Sequence, residues 1–270
     1  MLDDLPDIVA SFDAAVVMIP TNGFAVDRII EHTANIIKRS RSRIGLSISI
    51  EGHRATNDRI RNTGSYDAAW RCFKELKGRF DIPVKINTVL SSENDDEILD
   101  FMADVRARKP DFHSVILLRG KTSDPHVHLP SLEKLRHLIP KILEIQGSYT
   151  YGQHPYAAAL LRSYHRMLWR LSYDILARQT QVIPCLGGSA HSVVYADGGV
   201  APCEMLPVVG NLSKRSFSEI RASDVWRKSR GSIRRKECWC THNCALLDSI
   251  VFNPLAALPS LLGAGTGERP

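Results

Sequence analysis

Ile44-Gly45-Leu46-Ser47-Ile48-Ser49-Ile50 reads as a β-strand that closes on Glu51-Gly52, and the segments on either side of it decide the fold class. Upstream, Ala14 to Ile19 is a continuous apolar run ending at Pro20-Thr21-Asn22-Gly23. Between the two runs, Val26, Ile29, Ile30, Thr33 and Ile37 recur at the spacing of one helix face. Downstream, Ser65 stands where a cap would start a helix running through Phe80. Pro83 to Leu90 is a third strand. Asn94 then caps an acidic turn that leads into Ile98, Leu99, Met102 and Val105, and His113 to Leu118 is a fourth strand ending at Arg119-Gly120. Strand–helix–strand repeats of this length demand parallel strands with right-handed crossovers, so the first half is predicted to be α/β. Polar residues gather where each strand ends: Thr21 and Asn22, Ser49 and Glu51, Ser91 and Asn94, Arg119. Parallel α/β folds bind ligands at that edge. Each residue alone reads equally as a turn or cap, but the four groups together predict a binding rim.

The second half changes character. Leu132 to Ile145 and Tyr156 to Thr180 carry helical patterns, and five of the six cysteines follow them. Cys185, Gly198 and Cys203 form C-x12-G-x4-C; Cys238, Cys240 and Cys244 form C-x-C-x3-C. Tyr195 to Cys203 reads as a hairpin around Asp197-Gly198-Gly199, which returns Cys203 towards Cys185. Iron–sulfur clusters are held by about four cysteine sulfurs, so five candidates leave one over. A four-cysteine zinc site uses the same ligands, although zinc knuckles usually keep each pair close, whereas here a hairpin splits the first pair. Unliganded thiols are the third reading. Cys72 lies on an apolar helical face with Ala69, Phe73, Leu76 and Phe80 and is expected to be a core thiol. His126 and His128 form an H-x-H pair between prolines, expected to be exposed and not a metal site.

Composition sets bounds. The 270 residues have ordinary apolar and charged fractions and a formal net charge of +6, dispersed along the chain. The basic runs Lys38 to Arg43 and Arg234 to Lys236 lack interleaved aromatics, so no nucleic-acid partner is expected. Ser249 to Gly267 is uncharged but broken by Asn253, Pro254, Pro259 and glycines, which predicts a packing tail and no membrane span. The start lacks the basic n-region of a signal peptide, and a chain this long buries a core without disulfide staples, so the expected compartment is the cytoplasm.

Taken in order, T-N-G, S-I-S-I-E-G-H-R-A-T-N-D-R-I-R, a Gly-Ser-Tyr-Asp helix start and V-K-I-N-T-V resemble the radical S-adenosylmethionine enzymes. The tail, D-G-G-V-A-P-C, then V-G-N-L, then C-W-C-T-H-N-C, resembles the SPASM or shorter twitch extension that holds auxiliary [4Fe–4S] clusters. The resemblance implies a partial (β/α)6 barrel lacking its first strands, with a small C-terminal cysteine-rich hairpin and helix domain. The expected divisions are 1–120 for the incomplete barrel, 121–181 for a helical connector, 182–248 for the cluster domain and 249–270 for the tail. The family's C-x3-C-x2-C loop and G-G-E-P segment do not occur here, since no cysteine precedes Cys72. By comparison with the family, a fragment starting after the second barrel strand is expected, with Ala14 to Ile19 as a bare edge.

Several roles follow from the resemblance. Ser49 and Glu51 are expected at the ribose and amino-acid moiety of S-adenosylmethionine, Arg61 as a carboxylate clamp and Arg119 near the adenine. Cys185, Cys203 and Cys244 are expected to hold one [4Fe–4S] cluster, with Cys240 or Cys238 as the fourth ligand. No catalytic residue is expected, and cofactor binding should be weak or absent. The implied parent activity is radical modification of a peptide or small molecule, with a reductant protein as a possible partner. The alternatives are a non-catalytic iron–sulfur electron-transfer module and a zinc-stabilised binding protein.

Overall fold

In the computed structural model, the described residues are 3–120, 122, 124–151 and 155–253. They divide into two compact units, the first comprising Met1–Leu118, Asp124–Pro130 and Glu144–Ala158, and the second Arg119–Ser123, Ser131–Leu143 and Ala159–Pro270. Each unit is taken by itself.

The first unit is built on four parallel strands in chain order: β1 (Val16–Thr21), β2 (Arg43–Ser49), β3 (Val84–Leu90) and β4 (His113–Leu117). Its helices are α1 (Leu5–Ala10), α2 (Val26–Arg39), α3 (Arg54–Arg61), α4 (Ser65–Arg79) and α5 (Ile98–Ala107). The strand–helix alternation expected from the sequence is therefore present. β3 and β4 alternate between buried and half-buried residues, the period-two signature of a sheet with unequal faces. One face carries Ile48, Ile86, Thr88, Leu90, Val115 and Leu117, all buried. The helices add Ala69, Cys72, Leu76, Phe101, Met102 and Val105, also buried. Cys72 is thus a core thiol, and burial pushes it up to about 12.

The other face carries a row of polar residues. The register aligns Pro20 with Ser47, Ser47 with Lys85, Ser49 with Asn87, and Asn87 with Ser114. β1 lies at the edge of the sheet, and its Val16 and Met18 are exposed.

Two expected helix caps turn out differently. Ser65 is the first residue of α4, after Gly64, and does not cap it. The capping acceptor is Asp58, whose carboxylate takes the N–H groups of Tyr66 (2.9 Å) and Gly64 (3.0 Å) and the Ser65 hydroxyl (3.1 Å). A charged acceptor at the positive end of a helix is the stronger choice, and these bonds hold Asp58 below the usual carboxylate range. Asn94 lies four residues before α5 and is turned inward. Its Nδ2 donates to the carbonyls of Glu51 (2.7 Å) and Val89 (2.8 Å), and its Oδ1 accepts from Ser91 N–H (3.0 Å). Asn94 therefore fastens the segment after β2 to the end of β3.

The T-N-G turn after β1 has a physical reason. Thr21 Oγ1 accepts from Gly23 N–H and Asn22 Oδ1 from Phe24 N–H. Gly23 has φ +73°, and a Cβ there would lie 2.8 Å from the Ala69 Cα on α4. Only glycine fits that approach.

α6 (Leu132–Gly147) and α7 (Pro155–Arg178) follow as the sequence pattern predicts. The second unit then contains a three-stranded antiparallel sheet, β5 (Val193–Val194), β6 (Gly199–Ala201) and β7 (Gly210–Asn211), and the helices α8 (Phe217–Ala222), α9 (Asp224–Arg234) and α10 (Asn243–Val251). The expected hairpin is β5–β6. Its turn holds Gly198 at φ +80°, where a side chain would be strained. Val200, Ile220 and Trp226 form a small buried core, with the Trp226 indole donating to the Gly188 carbonyl at 3.1 Å. Residues 254–270, which include most of the expected packing tail, lie outside the described residues.

Candidate functional site

The thiols converge in the second unit. Cys185 follows the end of α7, Cys203 leaves β6, and Cys238 and Cys240 lie on the extended segment between α9 and α10. All four line one cavity, whose walls include Ile175, Ile183, Met205, Leu206, Trp239 and Leu246. The fifth tail cysteine, Cys244, lies on the first turn of α10; its residue is exposed and outside this lining. Among the described residues, no three His, Cys, Asp or Glu side chains close around a single metal ion. The free space between the side chains is about 30 Å³, roughly one water molecule. The fit to a cluster thus rests on the donors and not on the void.

The donors suit an anionic sulfur centre. Gly187 N–H points at Cys185 Sγ, 3.4 Å away. His191 donates Nδ1–H to Asp248 Oδ2 (2.7 Å), because a carboxylate can only accept, and His242 Nε2 forms an ion pair with Glu204 Oε2 at 2.9 Å. The other ring nitrogens, His191 Nε2 and His242 Nδ1, are buried and close no hydrogen bond in this structure. Both lie within electrostatic reach of sulfur. Burial by itself pushes the Cys203 thiol up, yet His191, His242 and the Met205 N–H outweigh it and hold the thiol down to about 6. The His242 imidazole is correspondingly raised to about 9 by Cys203 and Cys244. The Cys244 thiol is lowered, first by His242. Cys185, Cys238 and Cys240 are raised, each chiefly by burial. Each of the two ring nitrogens, His191 Nε2 and His242 Nδ1, is left able to pair with a further group.

Local structure holds these groups in place. The Ser249 hydroxyl accepts Leu186 N–H at 3.3 Å and donates back to the Ala245 carbonyl at 2.7 Å. With Asp248 on the same helix, α10 braces both the Cys185 loop and His191. Arg119, expected near an adenine, belongs to this unit; its Nη2 pairs with Glu204 at 3.0 Å, the same carboxylate that orients His242.

In the first unit, Glu51 is buried, and its Oε1 takes both Nε (2.9 Å) and Nη2 of Arg61. Its Oε2 accepts Val89 N–H at 2.7 Å, and its backbone N–H goes to Asn57 Oδ1 at 2.9 Å. The fork expected to clamp a cofactor carboxylate therefore closes on a carboxylate of the chain itself. Beside Arg61, a pocket of about 370 Å³ opens between Asn22, Phe24, Ile60, Asn62 and Ser65. Ser49 ends β2 on the polar face of the sheet. Sequence reasoning passed over two neighbours on that face, Ser47 and Asn87, whose Oγ and Oδ1 are buried without partners. The alternation of Ser47 with Ser49, and of Lys85 with Asn87, is the signal that points to them. His126 and His128 are exposed, as expected; each backbone N–H meets a neighbouring side chain, Asp124 and Ser92 respectively.

Residues 185–245 match the SPASM family model, described as an iron–sulfur cluster-binding domain. No curated protein matches the sequence. Among solved structures, the fold is similar to hexahistidine-tagged anSMEcpe with bound AdoMet, at 12% identity and a TM-score of 0.52, covering 78% of this chain and 55% of that one. Native anSMEcpe with bound AdoMet is similar at 14% identity and a TM-score of 0.51, covering 78% and 58%. The same protein with AdoMet and the Cp18Cys peptide gives 13% identity and 0.50. This chain spans little more than half the length of those solved chains. The likeness is one of fold, a parallel sheet of four strands with its helices shared with these AdoMet-bound structures. Within this chain, residues 185–245 are a SPASM iron–sulfur cluster-binding domain.

Proposed function

We propose that this chain binds one [4Fe–4S] cluster through Cys185, Cys203 and two of Cys238, Cys240 and Cys244. The observation that carries the reading is the meeting of four thiols from three separate segments on one cavity inside a SPASM domain. A bound cluster supplies one-electron redox chemistry. The chain supplies thiolates, an apolar wall that keeps water away, and imidazoles oriented by Asp248 and Glu204. The parent chemistry is radical modification of a peptide or small molecule with S-adenosylmethionine, fed by a reductant protein. Ser49, Glu51, Arg61 and Arg119 are carried as cofactor-side residues. Their structural partners, Glu51 with Arg61 and Arg119 with Glu204, support weak binding at most. Six free thiols suit a reducing compartment such as the cytoplasm.

One observation favours the reading as a non-catalytic electron-transfer module. The only cysteine outside the tail, Cys72, is buried in the core of the first unit, so the sheet offers no thiols for a second cluster. The 270-residue chain is accordingly expected to bind a cluster and cleave no S-adenosylmethionine. Anaerobic reconstitution should load about four irons and four sulfides per chain, with broad visible absorption. Tight stoichiometric zinc without labile sulfide refutes the cluster reading. Catalytic release of 5′-deoxyadenosine under strong reductant refutes the non-catalytic one.

A further inference from the structure

Gln181 is a polar side chain on the wall of the thiol cavity, 7% exposed, and its amide is fully used. Nε2 donates to the carbonyls of Cys238 (2.8 Å) and Ile233 (3.0 Å), and lies 3.9 Å from Cys238 Sγ. Oε1 accepts the backbone N–H of Cys185 at 3.3 Å. One planar group therefore ties the first cysteine of the domain to a cysteine 53 positions later and to the end of α9. We propose that Gln181 is a positioning residue that holds Cys185 and Cys238 as a ligand pair, so that Cys185, Cys203, Cys238 and Cys240 bind the cluster and Cys244 does not.

This rests on the cluster-binding reading above and deepens it. Two features select Cys238 over Cys244. Cys238 lines the cavity whereas Cys244 is exposed outside it. Cys238 is fixed by an amide that also fixes Cys185, and groups that orient a ligand matter nearly as much as the ligand itself. An amide N–H near a sulfur also stabilises its anionic form, one of the ways a protein sets a cluster's potential.

The test compares the full chain with Gln181→Leu, Gln181→Glu, Cys238→Ala and Cys244→Ala. Each is reconstituted anaerobically and read by iron and sulfide content and by the EPR spectrum of the reduced protein. Circular dichroism serves as the control for folding. Cys244→Ala should keep the wild-type iron content and spectrum. Cys238→Ala should lose about one iron or more per chain. Gln181→Glu keeps the acceptor for Cys185 but loses both donors; it should fold, show an altered spectrum and lose iron to a chelator several-fold faster. Wild-type iron and spectrum in Cys238→Ala with loss in Cys244→Ala overturns the assignment, and an unchanged spectrum in both folded Gln181 variants overturns the positioning role. A wild-type chain that takes up no iron and sulfide is the distinct failure of the underlying reading, and the proposal falls with it.

Discussion

Replacing Asn94 should unfasten the edge of the sheet where β2 and β3 end. The side chain is 2% exposed and makes three hydrogen bonds to backbone, to the carbonyls of Glu51 and Val89 and from the N–H of Ser91. Asn94→Ala leaves all three groups buried without their partner. Each orphaned group costs about 1–3 kcal/mol, and local relaxation recovers part of it, so the expected loss is roughly 3–5 kcal/mol. Against a domain stability of roughly 5–15 kcal/mol that is a large fraction. Asn94→Asp sharpens the test because its size is unchanged. Two donor contacts at 2.7 and 2.8 Å become oxygen facing carbonyl oxygen. A carboxyl in that place is forced towards its neutral form, so its folded pKa is raised. Stability relative to wild type should then improve as pH falls from about 8 to about 5.5 and the carboxyl takes up a proton. Urea unfolding followed by far-ultraviolet circular dichroism at both pH values measures this. Because the chain has two units, coincidence with tryptophan fluorescence must be checked before a single free energy is assigned. An Asn94→Ala protein within about 1 kcal/mol of wild type, or an Asn94→Asp protein with no pH-dependent difference, refutes the role assigned to this residue.

Three further outcomes are expected. Arg61→Ala strands the buried Glu51 carboxylate with one N–H donor and should cost about 2–4 kcal/mol in urea unfolding, with Arg61→Lys recovering only part of that, since an ammonium cannot present two fixed N–H groups to one oxygen. His113 is fully buried, and burial holds it down to about 3. Thr88 uses its proton on the Ile50 carbonyl, so His113 must donate Nε2–H to Thr88 Oγ1, which leaves Nδ1 without a partner. The unfolded chain takes up a proton below about 6.5 and the folded one does not, so this residue lowers stability by roughly 1.4 kcal/mol per pH unit as pH falls from about 6 towards 4; His113→Phe should flatten the measured slope by that amount, and an unaltered slope refutes it. In the metal-free chain at a pH of about 7.5, iodoacetamide should modify Cys244 first and Cys72 only on unfolding, as resolved by peptide mass spectrometry; early modification of Cys72 contradicts its burial.

The strand and helix periods exposed the α/β unit in the sequence because each element shows its own face. The clean alternation of β3 and the helical spacing in α2 survive folding unchanged. What sequence reading missed is where polar side chains go once a buried partner exists. Ser65 and Asn94 have the composition and position of caps, yet Asp58 and Glu97 hold those places at the helix starts. A residue seven before a helix and a carbonyl 43 positions away carry no local signal. Arg61 shows the same limit. A guanidinium after a strand end suits any carboxylate, and only the fold reveals that Glu51, ten residues earlier, is already within reach.

The metal centre was legible to a different depth. Thiol number and spacing announce a cluster-binding tail because thiolates at a metal are chemically obligatory and cysteine is otherwise sparse. Spacing cannot say which sulfurs share a site, since C-x-C-x3-C is compatible with any two of its three members. In the proposed ligand set that choice falls to neighbours that have no metal chemistry of their own. Gln181 bonds to the backbone of both Cys185 and Cys238, Asp248 and Glu204 pair with His191 and His242, and Ser249 ties the Cys185 loop to α10. None of the four belongs to the cysteine pattern. If ligand choice instead followed spacing alone, Cys244 would bind whatever Gln181 did, and the two sets of variants would separate cleanly on iron content.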